Sequence, residues 1–195
     1  MSSHPPSFYY PAPRKQRFCS QCGTPITCLT PPDDNRVRAV CEACGAVHYQ
    51  NPRNVVGVLA TWEDKILLCR RAIQPRRNKW TLPAGFMELG ETTAQGAMRE
   101  TQEEAGARIE LGALYTIIDV PHVDQVHFFY LGRALSDELF PGPESTEAGF
   151  YHPQDIPWND LAFRTVATTL QHYVEDARVG IFPVRHYAIP MPLSE

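Results

Sequence analysis

Three closely spaced carboxylates constrain this chain most strongly: Glu100, Glu103 and Glu104. Each residue of an α-helix turns by about 100°, so these side chains would share one helical face. Like charges three or four residues apart destabilise an isolated helix by about 0.2–0.5 kcal/mol per pair. Mg²⁺ prefers oxygen ligands and is usually held by a few carboxylates together with substrate phosphates. The shared face of these three glutamates therefore favours a helix that binds a hard divalent cation.

Both ends of this helix are marked in the sequence. Thr92 and Gln95 form a capping-box pattern at its start. Gly106 suits the left-handed conformation that commonly ends a helix. A second helix is predicted between Phe163 and Ala177, where apolar residues recur at i, i+3, i+4 and i+7.

Apolar runs elsewhere predict a sheet. The predicted strands are Val55–Trp62, Lys65–Arg70, Leu111–Val120 and Val126–Ala134. Trp80–Phe86 is predicted to be a short extended segment, and residues 136–146 an acidic loop. Strand-like pieces after Arg178 are broken by prolines and have no predicted position. A β-rich core flanked by two helices predicts an α/β fold with an α/β/α layer arrangement.

Two C-x-x-C pairs near the N-terminus predict a metal site. They are Cys19 with Cys22 and Cys41 with Cys44. Their separation is typical of a four-cysteine zinc site, and four thiolates make a closed, structural site rather than a catalytic one. We therefore predict a zinc ribbon over 17–50, after a flexible tail over 1–16. The ribbon would serve as a folding staple or a dimer contact, with nucleic-acid binding as the alternative.

The composition argues against several classes of protein. The formal net charge of −4 means that the chain lacks the excess of basic residues typical of nucleic-acid-binding proteins. No stretch approaches the roughly 18 consecutive apolar residues of a membrane span. The N-terminus has no charged start followed by an apolar run, so we expect no secretory signal and a cytoplasmic protein. Residues 1–17 lack acidic residues, which leaves a transit peptide open as an alternative.

The glutamate helix belongs to a longer pattern whose matched positions are Gly85, Glu91, Arg99, Glu100, Glu103, Glu104 and Gly106. This spacing resembles the Nudix box, G-x5-E-x7-R-E-U-x-E-E-x-G-U, where U is an aliphatic residue. The two U positions hold Thr101 and Ala107, which fit the pattern less well. The resemblance implies a Nudix α/β/α sandwich with a mixed sheet over 51–178, and a C-terminal tail over 179–195.

The resemblance also implies roles for the box residues. The expected ligands of Mg²⁺ or Mn²⁺ are Glu100, Glu103, Glu104 and the backbone carbonyl of Gly85. Arg99 would pair with Glu91 or Glu100 and fix the helix against the preceding loop, since a guanidinium suits a bidentate carboxylate contact.

The general base is expected to be Glu104. Some Nudix relatives use a glutamate on a later loop instead, and here that loop holds Glu144 and Glu147. Glu147 is placed just before a strand, as in those relatives. Solvated loop acids are the alternative interpretation of both residues.

The substrate is suggested by a narrower resemblance to Nudix hydrolases with an N-terminal zinc ribbon. It rests on the cysteine pairs, the box, and the segments His48–Arg53, Trp80–Phe86 and Asp155–Phe163. Members look like ADP-ribose pyrophosphatases, and plant relatives also cleave FAD. We therefore expect ADP-ribose or FAD as substrate, AMP as one product, and a homodimer without nucleic-acid or membrane partners.

Two alternatives remain open. NADH pyrophosphatases share the ribbon and the box but add an S-Q-P-W-P-F-P-type segment, which is missing from Leu111–Val126. Hydrolysis of NADH or of NAD-capped RNA is therefore the second hypothesis for the activity of an enzyme. The other hypothesis is that the protein is not an enzyme but a zinc-ribbon module that binds nucleic acid or protein.

Residues near the box are candidates for substrate binding. Arg70 and Arg77 belong to a cluster of four arginines and would meet phosphates, with exposed solubilising arginines as the alternative. Trp80 and Phe86 are candidates to stack on adenine or flavin, although filling of the core is the favoured interpretation of both aromatic residues.

Overall fold

The computed structural model describes residues 16–190. The chain forms two compact units, Met1–Asn51 and Pro52–Glu195. The predicted tail over 1–16 lies outside the described residues except for Gln16. Within the described range, none of the helices is long and apolar enough to cross a membrane.

The first unit is built on a small antiparallel sheet. Its strands are β1 (Thr27–Leu29), β2 (Arg38–Val40) and β3 (Val47–His48), in that spatial order. Units of fewer than about 40 residues rarely bury enough apolar surface to fold without a metal or disulfides. A strand set this short therefore needs a cross-link such as the predicted zinc.

The second unit is a mixed sheet with one long helix on each face. The sheet has the order β10-β5-β4-β9-β8-β11, with β6 paired to β5 and β7 paired to β4. Pairing is parallel between β4 and β9 and between β8 and β11, and antiparallel elsewhere. The elements are β4 (Arg53–Trp62), β5 (Lys65–Arg71), β6 (Trp80–Thr81), β7 (Ala84–Phe86), α1 (Thr93–Ala105), β8 (Ile109–Val120), β9 (Gln125–Ala134), β10 (Ser145–Tyr151), α2 (Arg164–Ala177) and β11 (Arg185–Ala188).

Two hydrophobic cores separate the sheet from its helices. Ala97 and Ala105 of α1 pack on one face, against alternate residues of β4 such as Val56 and Val58. On the other face, the apolar stripe of α2 packs against residues that include Leu59, Leu68 and Phe129. Because successive strand residues point to opposite faces, each strand supplies both cores. The predicted α/β/α arrangement with a mixed sheet is confirmed.

One expectation about the C-terminal segment needs correction. Arg185–Ala188, placed by the sequence in a C-terminal tail, forms β11 and pairs in parallel with β8. The Arg185 guanidinium also contacts both carboxylate oxygens of Asp176 in α2, at 2.5 and 2.6 Å. The pairing of β11 with β8 joins segments far apart in sequence, so no local pattern could reveal it.

Candidate active site

The helix that carries the glutamates has the predicted boundaries. The Thr92 hydroxyl accepts a hydrogen bond from the Gln95 N–H at 3.2 Å, and the Gln95 side chain accepts from the Thr92 N–H at 2.8 Å. Gly106 ends the helix at φ 65°, in the left-handed region. The capping box and the glycine cap are therefore confirmed, and they fix the rotation of the acidic face.

Gly85 is required by a close approach of α1 to β7. A Cβ atom at Gly85 would overlap the carboxylate of Glu100. Any larger residue would force the carboxylate of Glu100 to move away from its present position beside the strand. The glycine of the box therefore brings the backbone of β7 against a box glutamate.

Arg99 organises the acids around it. Its guanidinium donates to both oxygens of Glu91, at 3.0 and 2.8 Å, and its Nη1 donates to Glu100 at 2.7 Å and Glu103 at 3.0 Å. Its Nη2 also donates to the Phe86 carbonyl at 3.1 Å, which ties the helix to β7. Hydrogen bonds from Arg99 lower the pKa of Glu91 to about 2. Arg99 thus pairs with Glu91 and Glu100 together.

Glu100 and Glu104 are the buried members of the acidic face. Glu104 is 5% exposed, and its Oε2 accepts a hydrogen bond from the Ala84 N–H at 3.0 Å. Burial is the main cause that raises the pKa of Glu104 to about 8, and the charge of Glu100 adds to it. Burial also raises the pKa of Glu100. Glu100 and Glu104 are both buried, and their charged forms repel each other. A divalent cation bound by the two carboxylates would stabilise the charged form of both.

The glutamates do not form a compact cluster by themselves. Within residues 16–190, only the four cysteines bring three or more metal-binding atoms within 4.8 Å of one another. The carboxylates are held by protein groups instead, because Arg99 contacts Glu100 and Glu103 while Ala84 contacts Glu104. Glu103 is the most open of the three, with a side chain 58% exposed.

The later-loop glutamates differ in position. Glu147 lies inside β10 rather than before a strand, so that expectation was wrong, and it faces Arg70 at 3.7 Å. Glu144 is the residue that directly precedes β10, and its negative charge helps to raise the pKa of both Glu100 and Glu104. Glu144 is therefore the later acid whose charge reaches the buried pair.

The substrate-binding candidates are dispersed. Trp80 is 9% exposed and packs in the core on the α2 face, with Tyr151 edge-on at 5.0 Å between ring centroids. The Arg70 guanidinium lies 6.0 Å from the Trp80 ring and donates to the Asn78 carbonyl at 3.2 Å. Arg77 is exposed in the β5–β6 loop. Phe86 is half-buried, with the Arg53 guanidinium 4.7 Å from its ring centroid.

Arg71 is the arginine whose charge acts on Glu104. It is buried, donates to the Pro75 carbonyl at 2.9 Å and stacks 5.2 Å from the Phe163 ring. Its positive charge lowers the pKa of Glu104 and so opposes the effect of burial. The sequence showed Arg71 only as one arginine of a cluster.

The cysteine site has the geometry of a thiolate cage. Cys19 and Cys44 have sulfur atoms 3.7 Å apart, and those of Cys22 and Cys41 are 3.5 Å apart. Four sulfurs at 2.3 Å from a tetrahedral zinc lie about 3.8 Å from one another. The glycine that follows each pair has positive φ, 73° and 74°, so the backbone turns under the sulfurs. These residues fit a structural zinc ion.

Each of the two units matches a known protein-family model. A family model described as NUDIX domain matches residues 51–171, and one described as Nudix N-terminal matches residues 17–50. A NUDIX hydrolase from Nitrosomonas europaea is 45% identical, with a TM-score of 0.84, over 89% of this chain and 100% of that one. An ADP-ribose pyrophosphatase from Streptococcus suis is 24% identical, with a TM-score of 0.57, over 70% and 100%. The latter likeness supports the fold alone.

Among curated proteins, the NAD-capped RNA hydrolase NudC of Salmonella paratyphi C is 30% identical over 145 residues. The same name and identity hold for its counterpart in Salmonella choleraesuis. The match covers 74% of this chain and 54% of the relative, so the chain spans about half the length of these relatives. With its box helix, mixed sheet and cysteine cage, the chain belongs to the Nudix hydrolase family and carries that family's N-terminal zinc-ribbon module.

Proposed function

We propose that this protein hydrolyses the diphosphate linkage of a nucleoside diphosphate derivative with the help of Mg²⁺ or Mn²⁺. The observation that carries the proposal is the pair of buried acids, Glu100 and Glu104, packed against β7 beside Gly85. Burying two carboxylates without a full set of partners is costly, and a structural role gives no reason for it. A homodimer and a cytoplasmic location belong to the same proposal.

A divalent cation would be held by Glu100, Glu103, Glu104 and the Gly85 carbonyl. There it would neutralise diphosphate oxygens and lower the pKa of a bound water. The chain's own groups prepare the site, because Arg99 keeps Glu100 and Glu103 turned toward one side of α1. A structural zinc in the cysteine cage is part of the proposal.

Glu104 is the favoured general base. Its Oε2 accepts the Ala84 N–H, which orients the carboxyl and leaves Oε1 to take a proton. Without a metal, burial raises the pKa of Glu104 to about 8, and a divalent cation bound beside it would lower that pKa and keep the carboxylate able to accept a proton. Glu144 is the second candidate because its charge reaches the same pair of acids. Glu147 is a weaker candidate because its carboxylate faces Arg70.

The named relatives favour a substrate of the NAD type over ADP-ribose or FAD. Both Salmonella proteins are NAD-capped RNA hydrolases, which supports the alternative that the sequence left in second place. ADP-ribose and FAD remain the second candidates because Leu111–Val126 lacks the segment typical of NADH pyrophosphatases. The expectation of no nucleic-acid partner also needs a test, since one candidate substrate is an RNA.

A substrate panel tests the proposal. Purified protein would be incubated with NADH, an NAD-capped RNA oligonucleotide, ADP-ribose and FAD, each with Mg²⁺ or Mn²⁺, and products would be separated by chromatography. We expect cleavage at the diphosphate, loss of turnover with EDTA, and the highest kcat/KM for NADH or the capped RNA. Absence of turnover on the whole panel, combined with tight binding of RNA or a protein, would instead support a binding module.

A further inference from the structure

The loop between β9 and β10, residues 135–144, is fastened to the end of the box helix. The Phe140 N–H donates to the carbonyl of Ala105, the last residue of α1, at 2.8 Å. A Cβ atom at Gly106, the cap of α1, would overlap the backbone of Phe140. The loop backbone therefore packs directly against a helix end that glycine leaves open.

A second contact between this loop and α1 lies at Gly142. A Cβ atom there would overlap the carbonyl oxygen of Glu103, which belongs to the last turn of α1. Gly142 is not among the residues with positive φ, so its backbone conformation would also suit alanine. The close approach of the loop to α1, and not the conformation of the loop, is what requires glycine at this position.

The residues after Gly142 connect this contact rigidly to Glu144. The Ser145 N–H donates to the Gly142 carbonyl at 3.0 Å, which closes a four-residue turn with Pro143 in its second position. Proline fixes φ at about −65° and is favoured at this position of a β-turn. Glu144 is the third residue of the turn, and its carbonyl accepts the Ala72 N–H at 2.8 Å. The backbone of Glu144 is thus held from both sides.

Backbone placement matters for Glu144 because its side chain is exposed, so packing does not direct the carboxylate. The charge of Glu144 helps to raise the pKa of both Glu100 and Glu104, which means that it acts on the two buried acids of α1. The same negative charge would attract a divalent cation held by these acids, since attraction between opposite charges increases as their distance falls.

We propose that Gly142 is a positioning residue for Glu144, because its contact with the Glu103 carbonyl sets how closely the loop acid approaches the cation site on α1. The turn at Pro143 transmits this placement to Glu144. The inference rests on the proposed function, since it concerns the cation that the reaction requires. A methyl group at position 142 would push the loop away from α1 by about 1 Å, a displacement that can cost a catalytic step about 10²-fold.

The test measures Mn²⁺ binding to the full-length protein by calorimetry without substrate, so it does not depend on turnover. The variants are Glu144→Gln, Gly142→Ala and the double variant that carries both changes. Pro143→Gly, alone and together with Glu144→Gln, loosens the turn without adding an atom against α1. The matched control is Gly149→Ala in β10, where an added Cβ atom would meet the end of the Tyr151 side chain at 3.1 Å. Thermal melts would confirm that each variant is folded.

We expect Glu144→Gln and Gly142→Ala each to weaken Mn²⁺ binding by about tenfold, as is typical when a group beside a metal site is lost or displaced. The double variant should bind Mn²⁺ as Glu144→Gln does, because Gly142 acts through Glu144 and the two losses are not additive. Pro143→Gly should show a smaller loss that also disappears in the Glu144→Gln background. Gly149→Ala should bind as wild type does. A loss of stability alone would not produce this dependence on Glu144.

Three outcomes would overturn the role of Gly142. These are wild-type Mn²⁺ affinity in Glu144→Gln, wild-type affinity in folded Gly142→Ala, or losses that add in the double variant. If Gly142→Ala does not fold, Pro143→Gly decides in the same way, by an unchanged affinity or by a loss that adds to that of Glu144→Gln. Failure of the proposed function is a different result: Mn²⁺ binding would follow the expected pattern while wild type hydrolyses no member of the substrate panel.

Discussion

The chain has two sets of metal-binding side chains, and the protein holds them in opposite ways. The four cysteine sulfurs already lie at the spacing of a tetrahedral thiolate site, on turns formed by their own short segments. The glutamates of α1 are held by other protein groups, chiefly by Arg99 and by the Ala84 N–H. The first arrangement is typical of a closed structural site. The second leaves carboxylates that can exchange a protein partner for a cation or a substrate.

Replacing Cys19 with Ser should have the largest effect, because it opens the closed site. Structural zinc contributes about 10–16 kcal/mol of apparent binding free energy in zinc-finger peptides, and the first unit has only three short strands. We expect the variant to lose its zinc, as measured by elemental analysis, and to be cleaved by proteases within 17–50. The control is Cys28→Ser, which changes an exposed cysteine outside the cage. A Cys19→Ser protein that keeps its zinc would disprove the ribbon.

Replacing Glu104 with Gln should abolish most turnover while the fold persists. The amide keeps the volume and can still accept the Ala84 N–H, but it cannot take a proton or carry the charge that a cation needs. We expect kcat to fall by on the order of 10²–10³-fold, with a melting temperature equal to or above that of wild type. Glu175→Gln, on the exposed surface of α2, is the matched control. Near wild-type rates in Glu104→Gln would remove Glu104 from the mechanism and direct attention to Glu144.

Protonation of His127 should lower the free energy of unfolding at acidic pH. Its pKa is lowered to about 4 by burial, whereas an unfolded histidine titrates near pH 6.5. The unfolded chain therefore binds more protons between these values, and stability is lost as pH falls from about 6.5 to about 4, by up to ~3 kcal/mol. Denaturant unfolding of wild type and His127→Phe across this range measures the effect.

The difference between the two proteins is the informative quantity, because Glu104 acts in the opposite direction. Its raised pKa means that the folded protein takes up a proton as pH falls from about 8 toward about 4.5, which stabilises the metal-free fold. His127→Phe should leave that contribution intact. An identical pH slope in both proteins would show that His127 does not titrate as its burial predicts.

Replacing Arg99 with Gln should have the smallest effect, and it tests how the acids are held. The variant leaves Glu91, Glu100 and Glu103 without their shared cation, so we expect the metal-free protein to lose about 1–2 kcal/mol of stability. The rise in melting temperature on adding Mn²⁺ should be larger than in wild type, because the ion then supplies the missing charge. Arg133→Gln, which breaks an exposed pair with Glu110, should cost less than about 0.5 kcal/mol. An unchanged response to Mn²⁺ in Arg99→Gln would contradict this account.

Local patterns were sufficient to predict much of the site. The capping box at Thr92, the glycine cap at Gly106 and the shared face of the glutamates follow from helix geometry alone, and the structure confirms the caps. The cysteine cage was predictable for the same reason, since each C-x-x-C pair forms its own turn. These features depend on residues within a few positions of one another.

Features that depend on distant pairing were not predictable. The edge-on contact of Trp80 with Tyr151 and the pairing of β11 with β8 both join residues far apart in sequence. The first residue of β10 decides which loop acid precedes the strand, and the sequence favoured Glu147 where the structure has Glu144.

The sequence by itself determined the family, the acidic helix and the thiolate cage, because each is encoded by a fixed spacing within one continuous stretch of chain, Gly85–Gly106 or Cys19–Cys44. Only the tertiary structure decided which acids are buried, since desolvation of Glu100 and Glu104 depends on how α1 packs against β7. It likewise decided which side chains face one another across β7, β4 and β9, because strand register is set by the whole sheet. Burial also sets the pKa of Glu104, the proposed general base.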